Sequence, residues 1–246
     1  MRRPAARTGT DNRIFHMGEQ LGAEFRDRND PVMCDLAIHH GYKDSTAMLF
    51  CKQHGIPVII TEIGVWHNPG EFTYGWGYNG LNALSFVPEA PSEERAKPEL
   101  KPWKGDSGIT TIFGQKPGDA ALRGADIDKW VKRMLKVNPG AEYRPHPILL
   151  ENPASAEPLQ AVFDRTSFAV TYSSTVGPQA IIEGITTYEE HPGSYAYMMG
   201  AEYGREEWLH RLSWRMLDIG KPIPVDYILS GLEEATERAK AGKWDR

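Results

Sequence analysis

Two short apolar runs, Cys34–Ile38 and Ile56–Ile60, stand on either side of Thr46–His54, a segment of helical spacing followed at once by Gly55. A glycine directly after a helical run is a helix stop, and the second run is almost all β-branched, as strands are. Strand, helix and strand within roughly 30 residues make a βαβ unit, which forces the two strands to be parallel. A parallel sheet is covered on both faces, so the chain must supply helices to both sides. It also carries its ligands at the carboxyl ends of its strands. His39, His40 and Glu62 fall at those ends.

The same order recurs further on. Ile109–Phe113 reads as a strand, Gly114–Asp119 as a loop, Ile127–Val137 as a helix closed by Asn138-Pro139-Gly140, and Glu142–Arg144 as a short strand. Ala156–Phe163 reads as a helix, Phe168–Tyr172 as a strand, Ser173–Gly177 as a loop and Pro178–Gly184 as the next helix. The recurrence predicts an α/β fold with two Rossmann-like lobes, one over residues 1–104 and one over 105–204. Residues 11–28 have the pattern of an amphipathic helix, and residues 65–104 read as a long surface segment. A helical stripe of Trp208, Leu209, Leu212, Met216 and Leu217 runs from Arg205 to Gly220, and a charged helix follows over Tyr227–Ala241. Residues 205–246 are therefore expected to cross back onto the first lobe.

Composition narrows the function classes. With 246 residues the chain has material for one large domain or two small lobes. Lys+Arg 28 against Asp+Glu 33 leaves a net charge of −5, which argues against coating nucleic acid through bulk positive charge. No apolar run approaches the roughly 20 residues that a membrane helix needs, so no membrane partner is expected. Cys34 and Cys51 are the only cysteines, too few for a disulfide framework, and the start of the chain has no apolar signal core. A reducing, cytoplasmic setting is expected.

The densest chemical signal is Thr171-Tyr172-Ser173-Ser174-Thr175-Val176-Gly177-Pro178. Hydroxyls and free N–H groups converge there between a strand and a helix, as an anion site requires. Ser173 or Ser174 can equally be a helix N-cap. One βα step earlier, prolines at 145 and 147 fix the direction of Arg144 and His146, and both side chains can donate to a phosphate. His146 can also be an ordinary turn histidine. Gln115 and Asp119 follow the first strand of this lobe, with Asp119 equally suited to capping a helix. Glu183 is a candidate ribose ligand or a solvated helix carboxylate.

Tyr143-Arg144-Pro145-His146-Pro147 together with residues 170–185 resembles the donor lobe of GT-B type glycosyltransferases. It is most similar to the His-Pro and Ser-Ser/Ser-Thr motifs of the bacterial capsule and sialyl- or Kdo-transferase-like group. The loops 114–119 and 78–82, with Trp103, look like a compact bacteriophage branch. The resemblance implies a two-lobed fold with a cleft, a nucleotide-sugar co-substrate, in particular a UDP-sugar, and no tightly bound cofactor. Arg144, His146, Ser173, Ser174, Thr175, Gly177, Glu183, Gln115 and Asp119 would serve the donor. A hydroxyl acceptor would lie in the first lobe, and by analogy with phage enzymes it would be a 5-hydroxymethylated pyrimidine in double-stranded DNA. A surface polysaccharide or small-molecule acceptor, and a non-catalytic nucleotide-binding module, are the alternatives.

Inverting transfer needs a base to take the acceptor's proton. Glu62, Asp44 and His40 are the candidates, ahead of His39. Trp66, Tyr78 and Asn79, with Lys101, Trp103 and Lys104, offer rings for stacking and charges for phosphates. There is no Asp-x-Asp pair and no His/Cys cluster, so no catalytic metal is expected. Nothing in the pattern sets an oligomeric state.

Overall fold

The computed structural model describes residues 9–26, 30–31, 33–42, 45–66, 72–106, 108–199 and 204–244. In chain order the elements begin with α1 (Gly9–Gln20), β1 (Ala37–His40), α2 (Thr46–His54), β2 (Val58–Ile63) and β3 (Thr73–Tyr78). β4 (Ile109–Phe113), α3 (Ile127–Val137), β5 (Glu142–Arg144), α4 (Leu159–Arg165), β6 (Thr166–Thr171), α5 (Val176–Ile182) and β7 (Thr186–Glu189) follow. α6 (Arg205–Arg215), β8 (Met216–Asp218), α7 (Val225–Ser230) and α8 (Leu232–Lys240) complete the chain. It divides into two compact units, 1–94 with 211–246, and 95–210. The boundaries therefore fall at residue 94 and inside α6, where the sequence pattern placed them at 104 and 204.

In the first unit the expected βαβ element forms. Ser45 Oγ accepts from the Met48 amide at 3.2 Å to start α2, and Gly55 ends it in the left-handed region at φ 64°. β1 and β2 are parallel, from Ala37 opposite Val58 to His40 opposite Thr61. Both strands run further than the apolar runs suggested, so His39, His40 and Glu62 lie within strands. The sheet is not all-parallel: in the order β1-β2-β3-β8, β3 is antiparallel to both neighbours.

β3 corrects the reading of residues 65–104 as surface. Thr73-Tyr74-Gly75-Trp76-Gly77-Tyr78 alternates large rings with small residues at the period of a strand, and all six residues are buried. Tyr74, Trp76 and Tyr78 join Met17, Ile59, Leu217, Ile228 and Ala235 in one core. The expected continuous helix over 205–220 stops at Arg215, and the chain straightens into β8 to pair Asp218 with Thr73. Likewise the final helix is two, broken at Gly231, and the first helix ends at Gln20 instead of residue 28.

The second unit is the more regular. Its sheet, β5-β4-β6-β7, is parallel throughout. Ile127, Trp130, Val131 and Met134 form one stripe of α3 at helical spacing and cover Ile112 and Val170 on one face. Phe113 and Ala169, the next residues along the same strands, face the opposite way onto Val162, Phe163, Ala180 and Ile185. After β4 the chain crosses to β5 on one side, then returns to β6 on the other. This reversal puts a topological switch point at the carboxyl ends of β4 and β6, the usual ligand position in such sheets.

Candidate functional site

The carboxyl ends of β4, β5 and β6 bring together Gln115, His146 and the Ser173–Gly177 loop, residues far apart in sequence. Gln115 Oε1 accepts from the Ser173 amide and lies 3.2 Å from the Ser173 hydroxyl. That hydroxyl is also 2.9 Å from the Ala121 carbonyl. Both residues are buried and tie the ends of β4 and β6 together, where the sequence suggested donor ligands. Ser174 Oγ accepts from the Val176 amide at 3.2 Å, just ahead of α5, whose N-cap is Thr175 and not either serine. Thr175 makes no side-chain cap bond to α5, and both Ser174 and Thr175 are half-buried.

The ring state of His146 follows from its turn. Its Nδ1 accepts from the Ile148 amide at 3.2 Å, so the proton of the neutral ring sits on Nε2. Burial holds the imidazolium below its ordinary range, Asp119 opposes that, and Lys116 and Arg144 add to it. Near neutral pH the ring is thus an uncharged donor of fixed tautomer. Lys116 is the exposed cation beside it. Arg144 donates to the Glu157 carbonyl at 3.0 Å, and Asp119 accepts from the Ala121 amide at 2.8 Å as a helix cap.

Glu183 is a correction. It lies at the far end of α5, at the amino edge of the sheet, a helix length from the hydroxyl loop. There it pairs with Lys101 at 2.5 Å and accepts from Gln160 at 2.9 Å. Residues 101–104, next to it, are the ones expected to offer charges and a ring to nucleic-acid phosphates. The Lys101 and Lys104 amides donate to the Ile182 and Gly184 carbonyls. Lys104 Nζ donates to the Phe163 carbonyl at 2.6 Å, and the Arg205 guanidinium lies 4.0 Å from the centre of the Trp103 ring.

The first unit likewise uses its expected acceptor residues for packing. Tyr78, with no exposed surface, donates to the Ile228 carbonyl at 2.6 Å. Asn79 accepts from the Val58 amide at 2.9 Å and donates to the Ala235 carbonyl at 2.7 Å. The Trp66 carbonyl accepts the Thr73 hydroxyl, and its ring is buried. Of the base candidates, Asp44 lies outside the described residues. His40 Nδ1 is 3.4 Å from Thr61 Oγ1, His39 Nε2 is 3.0 Å from Ser45 Oγ, and Glu62 is close enough to Arg13 to favour its charge. The carboxyl end of the β1–β2 pair therefore gathers Glu62, Arg13 and both histidines.

Two features of the second unit escaped sequence reasoning. Glu189, at the end of β7, is buried and accepts the Thr171 hydroxyl. His191-Pro192 repeats the His146-Pro147 turn: His191 Nδ1 accepts from the Gly193 amide at 2.9 Å, and the ring packs on Tyr172. The second His-Pro pair was the visible signal for it. Among the described residues no group of three or more His, Cys, Asp and Glu side chains could hold a metal ion. No helix of the described residues is long and apolar enough to cross a membrane.

No family model matches the chain, and no curated protein matches it. Among solved structures it is similar to the β-Kdo 2,7-transferase KpsC of Thermosulfurimonas dismutans, at 13% identity and a TM-score of 0.45, over 73% of this chain and 77% of that one. At that degree of overlap the likeness decides nothing about chemistry.

Proposed function

We propose that the chain is a nucleotide-sugar-dependent glycosyltransferase whose second unit holds the donor's phosphates at the carboxyl edge of β4, β5 and β6. The observation that carries this reading is the placement of the two motifs. The His-Pro turn ends β5 and the Ser-Ser-Thr loop follows β6, the two strands that flank β4, so both lie at the switch point of one parallel sheet. The neutral Nε2–H of His146, the Lys116 cation and the Ser174 and Thr175 region together supply donors without a buried uncompensated charge. Such donors stabilise negative charge as it develops on a departing phosphate.

The acceptor is a hydroxyl compound in this proposal. Lys101, Trp103, Lys104, Trp66, Tyr78 and Asn79 pointed to a hydroxymethylated base in duplex DNA. All are engaged within their own units, which removes their support for that choice.

Calorimetry with a panel of nucleoside mono- and diphosphates tests the donor site. One nucleotide is expected to bind, and His146→Ala to weaken it about 10- to 100-fold, the range of a hydrogen bond to a charged group. His146→Gln, which keeps a donor near the Nε2 position, should recover part of the loss. Equal affinity for wild type and His146→Ala, or binding of none of the panel, would contradict the proposal.

A further inference from the structure

Glu189 closes β7 opposite Thr171 in the β6–β7 ladder. Thr171 donates its hydroxyl to Oε2. Gly177, in the first turn of α5, is packed so closely that a Cβ there would overlap Oε2 and lie 2.9 Å from Thr171 Oγ1 and 3.2 Å from Ala196 Cβ. The Ser194 hydroxyl and the Ser174 amide also favour the charged form of the carboxyl group. Oε1 is buried and makes no hydrogen bond. A carboxylate in this place would leave a charged oxygen without water or donor, whereas a protonated carboxyl group keeps the contacts at far lower cost.

We propose that Glu189 is a positioning residue: an uncharged carboxyl group that anchors Thr171, Ser174 and Gly177 and so holds the Ser173–Gly177 loop in the form that presents Ser174 and Thr175 at the switch point. Its link to catalysis rests on the donor-site reading above, but the order of the loop is measurable without any nucleotide. Burial pushes the Glu189 acid up to about 8, so the group is neutral at pH 7 and ionises under mildly alkaline conditions. Charge on it would strain the loop and repel an anion bound above.

The neighbours leave its titration distinct. β6 offers Thr171 and no ionisable side chain, and α5 carries none before Glu183, which is paired with Lys101. From the segment after β7 come Ser194 and Tyr195. On its own strand, Glu190 is bound to Arg133 and Tyr188, and His191 packs on Tyr172.

Amide hydrogen exchange of the full chain without ligand, corrected for intrinsic rates, tests this from pH 6.5 to 9. In wild type, protection of residues 173–177 should fall by up to about tenfold per pH unit once Glu189 titrates, while β4 and β5 hold theirs. Glu189→Gln should keep the loop protected across the range, and Thr171→Val should loosen it already at pH 7. Loop protection independent of pH in wild type, or lost in parallel in wild type and Glu189→Gln, overturns the proposal. Calorimetry with UDP adds the second arm, affinity falling from pH 7 to 9 in wild type and not in Glu189→Gln. If UDP binds neither protein while the exchange pattern appears, the anchoring role stands and a UDP donor is what fails.

Discussion

Replacing Trp76 by alanine is expected to destabilise the first unit by about 3–5 kcal/mol. The ring is 1% exposed at the middle of β3. It meets Tyr78 and Tyr227 edge-on at 5.7 and 5.9 Å, a favoured aromatic geometry. Its indole N–H donates to the Trp214 carbonyl at 2.9 Å. Alanine would open a large cavity and leave that carbonyl without its partner, and β3, paired on both edges, cannot move in to fill the space. Trp76→Phe keeps most of the ring contact and should cost much less. Chemical unfolding followed by circular dichroism measures both. A Trp76→Ala protein of near wild-type stability would show that the ring is a surface platform instead of core.

The second large effect is a stability that falls as pH rises, traceable to Glu189. Its acid is pushed up to about 8 from an ordinary 4.5 by burial. Between those values the folded chain keeps a proton that the unfolded chain has lost. Stability therefore drops with pH across that window, with a limiting slope of about 1.4 kcal/mol per unit, and levels off above it. Burial lowers His16 and His146, so the unfolded chain binds more protons there and their contribution has the opposite sign. It is complete once pH exceeds the ordinary histidine range. The Cys51 thiol, pushed up to about 11 by burial, acts only under more alkaline conditions. The difference between wild type and Glu189→Gln from pH 7 to 8 isolates Glu189, because the histidine contributions are common to both. Wild type should lose stability across that interval relative to Glu189→Gln, which stays flat or rises slightly with its histidines, and equal slopes in the two proteins would contradict the assignment.

These effects mark where the sequence was legible. β4, α3 and β5 match their expected residue ranges because each is specified locally: a β-branched run, a stripe at helical spacing and a Pro-flanked end. β3 was hidden because its glycines and rings resemble a loop until the alternation is noticed, and because its partner β8 lies some 140 residues away. Pairing over that distance leaves no local mark. At the candidate site the positions of His146 and the hydroxyl loop were readable from their strand ends. The tautomer of His146 was not, since it depends on the Ile148 amide folding back onto Nδ1. Glu183 and Glu189 exchanged importance for the same reason. One lies at the wrong end of a short helix, and the other is made unusual by the groups that fold around it.

The central claim is that the donor's phosphates sit at the carboxyl edge of the second unit's sheet. Backbone amide chemical shifts of the intact chain, recorded with and without the nucleotide selected by calorimetry, test it most directly. The account predicts shifts concentrated at Gln115 and Lys116, at His146 to Ile148 and across Ser173 to Gly177, all at the ends of β4, β5 and β6. Shifts confined to the first unit, or to the amino edge of the second unit's sheet around Gly108 and Asn138, would contradict it.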